Sequence, residues 1–168
     1  MKIGLLSDTH GYLDPKVLEY FKHVDEIWHA GDIGTMEVLE ALQNFKPTIA
    51  VWGNIDGGKL RVACSEGEIF EREGIRILMT HIAGKPPKYN KKVLDHIKQY
   101  QPKLLICGHS HILKVMPDGD NKLLFINPGA AGKHGFHKVK TLIRFELDDK
   151  EIKNLEVIEM GPRASLKP

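Results

Sequence analysis

Short apolar runs and amphipathic stretches alternate through the first third of the chain, and that alternation predicts its elements. KIGLLS (2–7), EIWHA (26–30) and IAVWG (49–53) are compact apolar runs of strand length. Such runs mark strands buried on both faces. Between the first two, Asp14-Pro15 supplies an N-cap and a proline at the first helical position, and Val17, Leu18 and Phe21 then share one face. Between the second and third, Thr35 caps a helix carrying Met36, Leu39, Glu40 and Leu42, and Pro47 bars its continuation. The βαβαβ order predicts parallel strands with helices outside.

The pattern then changes. Residues 66–81, EGEIFEREGIRILMTH, read as two strands around a turn at Glu73-Gly74. A helix is predicted from about Pro87 to Tyr100, with Val93, Leu94 and Ile97 as its apolar stripe. LLICG (104–108) is another parallel-type strand. Residues 111–129 and 138–159 are mostly strand, turning at Asp118-Gly119 and Asp148-Asp149. The tail GPRASLKP reads as frayed or lightly docked. An α/β first half followed by a β-rich second half suggests two packed sheets with helices outside. The chain shows no repeat, low-complexity tract or linker, so residues 1–168 read as one domain.

Composition narrows the function. Formal net charge is only +2, too mild to indicate nucleic acid or a membrane surface. No apolar stretch approaches membrane-spanning length and no secretory leader is apparent, so a cytoplasmic protein is expected. Cys64 and Cys107 sit in or beside apolar runs and read as buried reduced thiols. No CxxC pair offers a zinc ribbon or a thioredoxin-like motif. A homo-oligomer is compatible with the sequence, which sets no oligomeric state.

The chemistry lies where the apolar runs stop. After each comes a potential metal ligand: Asp8 and His10, then Asp32, Asn54, His81, and finally His109 and His111. Ligands of open α/β sheets gather beyond the carboxyl ends of the strands, so one rule brings these side chains to one edge. If strand geometry persists past Leu6, Asp8 and His10 project to the same side; His109 and His111 repeat the spacing. Asp32 follows a glycine, where a tight turn can lift its carboxylate to bridge two cations. The mixed nitrogen and oxygen set, without thiolate, favours Mn, Fe, Zn, Co or Ni over calcium or an iron–sulfur cluster. Two divalent ions, two carboxylates and one bridging hydroxide leave a single net positive charge, suited to an anion. A two-metal centre also acidifies its bound water. Phosphoester hydrolysis by a metal-bridging hydroxide, without a covalent enzyme intermediate, is the reading.

In order, D-x-H, G-D, G-N-x-D, a lone His and G-H-x-H resemble the calcineurin-like metallophosphoesterase superfamily, and most of all its small, cap-less YfcE-type phosphodiesterases. The resemblance spans Met1 to about Gly132. It implies a four-layer α/β/β/α sandwich of two mixed sheets. It also implies two divalent ions, Mn foremost with Ni, Fe, Co or Zn as alternatives, and a small phosphoester substrate. Asp8, His10, Asp32 and His111 would hold one ion. Asp32, Asn54, His81 and His109 would hold the other and carry catalysis. Many members of the superfamily have a histidine that aids the leaving group where this chain has Ile55, so leaving-group protonation is unassigned.

Two other functions fit the same fold. One is a phosphomonoesterase or nucleotide phosphatase on the same centre. The other is an interaction scaffold like the retromer subunit, whose mark would be a decayed ligand set. Beside the ligands, Asp56 either supports a metal-bound histidine or caps the Gly57-Gly58 turn. His29 is either such a support or a satisfied strand residue. Asn127 shapes the turn before Gly129 or, as the weaker reading, contacts the phosphate directly. Lys133, His134 and His137 form a solvated loop or contact the substrate's distal part. Lys85, Lys88, Lys91 and Lys92 form a solvated face or an anion-attracting rim. His23 and His96 read as helix-surface residues, Trp28 and Trp52 as core or near-core.

Overall fold

The computed structural model describes residues 1–163. In chain order the elements are β1 (Lys2–Leu6), α1 (Pro15–Tyr20), β2 (Glu26–His29), α2 (Met36–Phe45), β3 (Thr48–Ala50), α3 (Gly58–Ala63), β4 (Gly67–Arg72) and β5 (Ile75–Thr80). They continue as β6 (Gly84–Lys85), β7 (Lys88–Tyr89), α4 (Lys91–Tyr100), β8 (Leu104–Ile106), β9 (Lys114–Asp118), β10 (Leu123–Asn127), β11 (Val139–Asp148) and β12 (Glu151–Pro162).

Two five-stranded mixed sheets result, ordered β12-β11-β1-β2-β3 and β4-β5-β8-β10-β9. The centre of each is parallel: β1, β2 and β3 in one, β5, β8 and β10 in the other. Antiparallel strands complete one flank of the first sheet, β11 and β12, and both flanks of the second, β4 and β9.

Alternation along the strands makes the layers. Ile3, Leu5, Trp28, Ile143 and Phe145 point from the first sheet into a common core with Ile75, Ile77, Met79, Leu104, Ile106 and Ile126 of the second. Each fully buried side chain of this kind contributes roughly 1.5–3 kcal/mol. On the first sheet's outer face, Leu6 and Ile27 pack against Val17 and Phe21, and against Val38, Leu39 and Leu42 of α2. On the second sheet's outer face, Leu78, Leu105 and Phe125 pack against Val93 and Ile97 of α4. The layer order is therefore α/β/β/α. A half-buried ion pair links the sheets: Arg72 donates through Nε and Nη2 to Glu26, at 3.0 and 2.9 Å, and Trp28 Nε1 donates to the same carboxylate.

Some boundaries differ from those the sequence suggests. The helix expected from Pro87 begins at Lys91, where the Asn90 side chain accepts from Val93 N–H. The preceding residues pair instead as a two-stranded ribbon, β6 with β7. The IAVWG strand ends at Ala50, beyond which Val51 makes only an isolated bridge to Ser65. The short helix α3 carries no sustained apolar period, only Leu60 being buried, so periodicity did not show it. Thr35 occupies its cap position without a side-chain bond to the helix backbone, whereas Asp14 accepts from Lys16 N–H. Of the tail, Gly161 and Pro162 extend β12 and Arg163 Nη1 donates to Lys133 O; residues 164–168 lie outside the described residues.

Candidate metal centre

The ligand candidates sit on bends, and the backbone pays for those bends. Asp8, His10, Asp32, His109 and His111 all adopt positive φ, between 48° and 68°. For residues other than glycine that conformation costs of order 1 kcal/mol or more each. Such outliers cluster where surrounding structure enforces an unusual geometry. This corrects the strand argument: β1 ends at Leu6 and β8 at Ile106. Asp8 with His10, and His109 with His111, converge because the chain doubles back after the strand, not because strand alternation continues.

Two groups form. Asp8, His10 and His111 present ligand atoms within 4.8 Å of one another, and so do Asp32, His81 and His109. Asp32 joins them: Oδ2 lies 3.7 Å from His10 Nε2, and Oδ1 lies 3.2 Å from His81 Nε2. One oxygen thus faces each group.

Two of the atoms facing inward, Asp8 Oδ1 and His81 Nε2, lack hydrogen-bond partners, whereas Asp32 Oδ1 accepts from Ile55 N–H. His81 Nδ1–H donates to Ala30 O at 2.8 Å, which turns the Nε2 lone pair toward the Asp32 carboxylate. Asp8 Oδ2 accepts from His109 N–H, leaving Oδ1 3.1 Å from His111 Nε2. His10 Nε2 and His111 Nε2 face each other at 3.3 Å. Asp8 Oδ1 and His81 Nε2 are buried and make no hydrogen bond of proper geometry. A buried unpaired acceptor costs about 1–3 kcal/mol, and acceptors aimed at one another call for a cation between them. The donor set therefore fits divalent ions of the nitrogen- and oxygen-binding kind.

The electrostatics agree. Burial disfavours a charged His81, yet the carboxylates of Asp32 and Asp8 outweigh it and hold its pKa above the ordinary value. Burial raises Asp32 as well, but His81 and the Ile55 N–H outweigh that and hold it below the ordinary carboxylate range. Positive charge is thus favoured at this spot.

Close packing positions the ligands. A Cβ at Gly53 would fall 2.1 Å from Asp32 Oδ1, and one at Gly31 would fall 2.6 Å from His81 Nδ1. Only glycine admits these approaches. Asn54 follows Gly53 on the loop after Val51, exposed, and lines a groove of about 480 Å³ with His81, Trp52 and Arg61.

The supporting residues take definite roles. His29 is fully buried: Nδ1 accepts from Gly31 N–H, and Nε2–H donates to Thr9 Oγ1, which donates to Ile33 O. Burial pushes its pKa down to about 4, so it is a neutral strut between the bends bearing Asp8, His10 and Asp32. Asp56 neither holds a histidine nor caps Gly57-Gly58. Its carboxylate accepts from the backbone N–H groups of Ile33, Gly34 and Gly53. Asn127 shapes its turn as the sequence suggests: Oδ1 accepts from Gly129 N–H and Nδ2 donates to Gly108 O, fixing the bend before His109. Thr9 escaped the sequence reading, and so did the close contacts of Gly31 and Gly53 with the candidate ligands, although the glycine directly before Asp32, Asn54 and His109 is visible in the motifs.

The remaining candidates divide. The His134 ring centroid lies 5.0 Å from that of His10, and the His137 centroid 5.3 Å from that of His111. Lys133 instead covers the Tyr12 ring at 3.8 Å. Lys92 pairs with Glu66 at 2.6 Å. His96, half-buried, lines the Asn54 groove, and Trp52 stands half-buried at the groove under Arg61, not in the core. His23 is exposed. Cys107 is buried and Cys64 half-buried, both free. No helix is long and apolar enough to cross a membrane among the described residues.

Comparison with known proteins places the chain in a family. Residues 1–150 match the calcineurin-like phosphoesterase superfamily domain. A probable metallophosphoesterase of Methanocaldococcus jannaschii is 31% identical over 156 residues, covering 89% of this chain and 78% of that protein. A phosphodiesterase of the same organism is 30% identical over 146 residues, covering 77% and 83%. Chaetomium thermophilum Vps29 superposes with a TM-score of 0.76 over 98% of this chain and 100% of its own, at 14% identity.

Proposed function

The chain belongs to the calcineurin-like phosphoesterase superfamily, and on that premise we propose that it is a phosphodiesterase working at a centre of two divalent ions. Metal-dependent phosphoester hydrolysis follows from the family. The preference for diesters draws on the relative named as a phosphodiesterase. The observation that carries the two-ion reading is the opposed orientation of the two Asp32 oxygens, each toward a separate group containing a buried, unpartnered acceptor. The likeness to Vps29 bears on architecture alone.

In this reading Asp8, His10, Asp32 and His111 hold one ion; Asp32, Asn54, His81 and His109 hold the other. Mn is the first candidate, with Ni, Fe, Co and Zn compatible with the same donors. Two such ions supply an acidified water and positive charge for phosphate oxygens. The chain's own part is positional. Ala30 O fixes the His81 tautomer, His109 N–H fixes Asp8, and Asp56 and His29 brace the bends that set the spacing.

The test is hydrolysis by metal-stripped protein reloaded with each metal, on bis-p-nitrophenyl phosphate beside p-nitrophenyl phosphate. Turnover that needs metal and favours the diester is the expected result; a preference for the monoester would make the enzyme a phosphatase. Binding has its own signature. Metal at a hundredfold its dissociation constant stabilises the folded state by about 2.7 kcal/mol per site, so Tm should rise by roughly 5–10 °C for each site filled. A Tm indifferent to every candidate metal would sink the two-ion centre.

Ile55 sharpens a kinetic expectation. Its side chain is 48% exposed beside Asn54 and carries no proton to give. Across substituted phenyl esters, rates should climb steeply as the leaving phenol becomes more acidic. A flat series would mean that another side chain protonates the leaving group.

A further inference from the structure

A second groove, of about 630 Å³, opens from His109 on the other side of Ile82 from the Asn54 groove; Ile82 lines both. The two differ in charge. In the first, Lys92 is neutralised by Glu66, and Trp52 and Arg61 offer flat faces. The second is lined by Lys85, Lys88 and Lys114 and by no carboxylate. Lys85 and Lys88 are directly cross-strand partners on the β6–β7 ribbon, an arrangement in which like charges repel. None of the three forms an ion pair with a described residue. Three uncompensated cations beside the exposed side chains of Ile82 and Ile112 and the buried Phe125 suit an anion attached to an organic group.

We propose that the substrate is a small phosphodiester whose two ester arms part at Ile82, and that the arm lying in the Lys85, Lys88 and Lys114 groove carries a further phosphate. This rests on the phosphodiesterase reading for the scissile bond and adds the chemistry of one arm. In the reaction, water oxygen bonds to the central phosphorus and the bond to the other arm's oxygen breaks. That arm leaves with a proton, and the bisphosphate arm remains as the monoester.

Two probes differ by that one phosphate: the p-nitrophenyl ester of thymidine 5′-phosphate, and the same ester bearing a 3′-phosphate. The metal-loaded enzyme should favour the second in kcat/KM by about tenfold at low ionic strength, three partly exposed cations each adding a modest increment. Added salt should shrink the ratio. The ratio should fall to within about twofold in Lys85→Ala/Lys88→Ala/Lys114→Ala and invert in Lys85→Glu/Lys88→Glu, whose changes are confined to the exposed ribbon. Calorimetry on metal-stripped protein should show thymidine 3′,5′-bisphosphate binding more tightly than the 5′-monophosphate, with the difference lost in both variants. Equal kcat/KM for the two esters, or a preference that survives both variants, would overturn the proposal. Lysine-dependent bisphosphate binding without hydrolysis of either ester by any metal form would support the anion groove and sink the phosphodiesterase reading instead.

Discussion

Replacing Asp32 with Asn should cut phosphodiester hydrolysis by at least about a thousandfold while the protein stays folded. The carboxylate divides its oxygens between the His10 side and the His81 side, at 3.7 and 3.2 Å. An amide has the same shape but one oxygen and one NH2, so whichever group meets the NH2 faces a donor that repels a cation. A full negative charge is lost as well. At an effective dielectric near 20, one unit-charge interaction at 4 Å is worth about 4 kcal/mol, and about 4 kcal/mol at the transition state is three powers of ten in rate. Metal analysis of the purified variant should show less than the wild-type content, while circular dichroism is unchanged. Activity within tenfold of wild type in a folded, metal-assayed variant would mean that Asp32 does not link the two groups.

The sequence made the candidate ligands legible and concealed how they meet. Strand ends are visible because apolar runs are, and the rule that ligands lie beyond parallel strands needs no more than those ends. The bends are another matter. Nothing in the letters of Asp8 or His109 announces a left-handed backbone, because that conformation is imposed by neighbours distant in sequence. His109 N–H donates to the Asp8 carboxylate, and Gly132 N–H donates to Asp8 O. The extended-strand argument therefore reached the correct convergence by the wrong local geometry. The late start of α4 has a similar origin. Residues 84–89 spend their backbone groups on the β6–β7 ribbon, and Asn90 is the first residue able to cap a helix. Asp56 was undecidable from sequence, since its partners at Ile33 and Gly34 lie more than 20 positions away and are backbone groups.

That placement makes Asp56→Ala the most destabilising single change expected near the centre. The carboxylate is 2% exposed and accepts three backbone N–H groups: Ile33 at 3.0 Å, Gly34 at 2.7 Å and Gly53 at 2.8 Å. Alanine leaves those donors unpaired around a small cavity. At about 1–3 kcal/mol per stranded donor, less what entering water recovers, the loss should be about 4 kcal/mol. For a chain of this size that corresponds to a Tm lower by roughly 10 °C. Asn in the same place keeps one accepting oxygen and should fall between wild type and Ala. The damage should extend to metal affinity, because Ile33 follows Asp32 and Gly53 precedes Asn54, so the carboxylate sets the distance between two ligand-bearing loops. Thermal melts of metal-free and metal-loaded protein separate the two effects. A fold-only role would lower both melts equally and leave the metal-induced rise intact. A positioning role shrinks that rise as well, which is the expected result. An alanine variant melting within about 2 °C of wild type would show that the three donors find other partners and that the loops do not depend on Asp56 for their spacing.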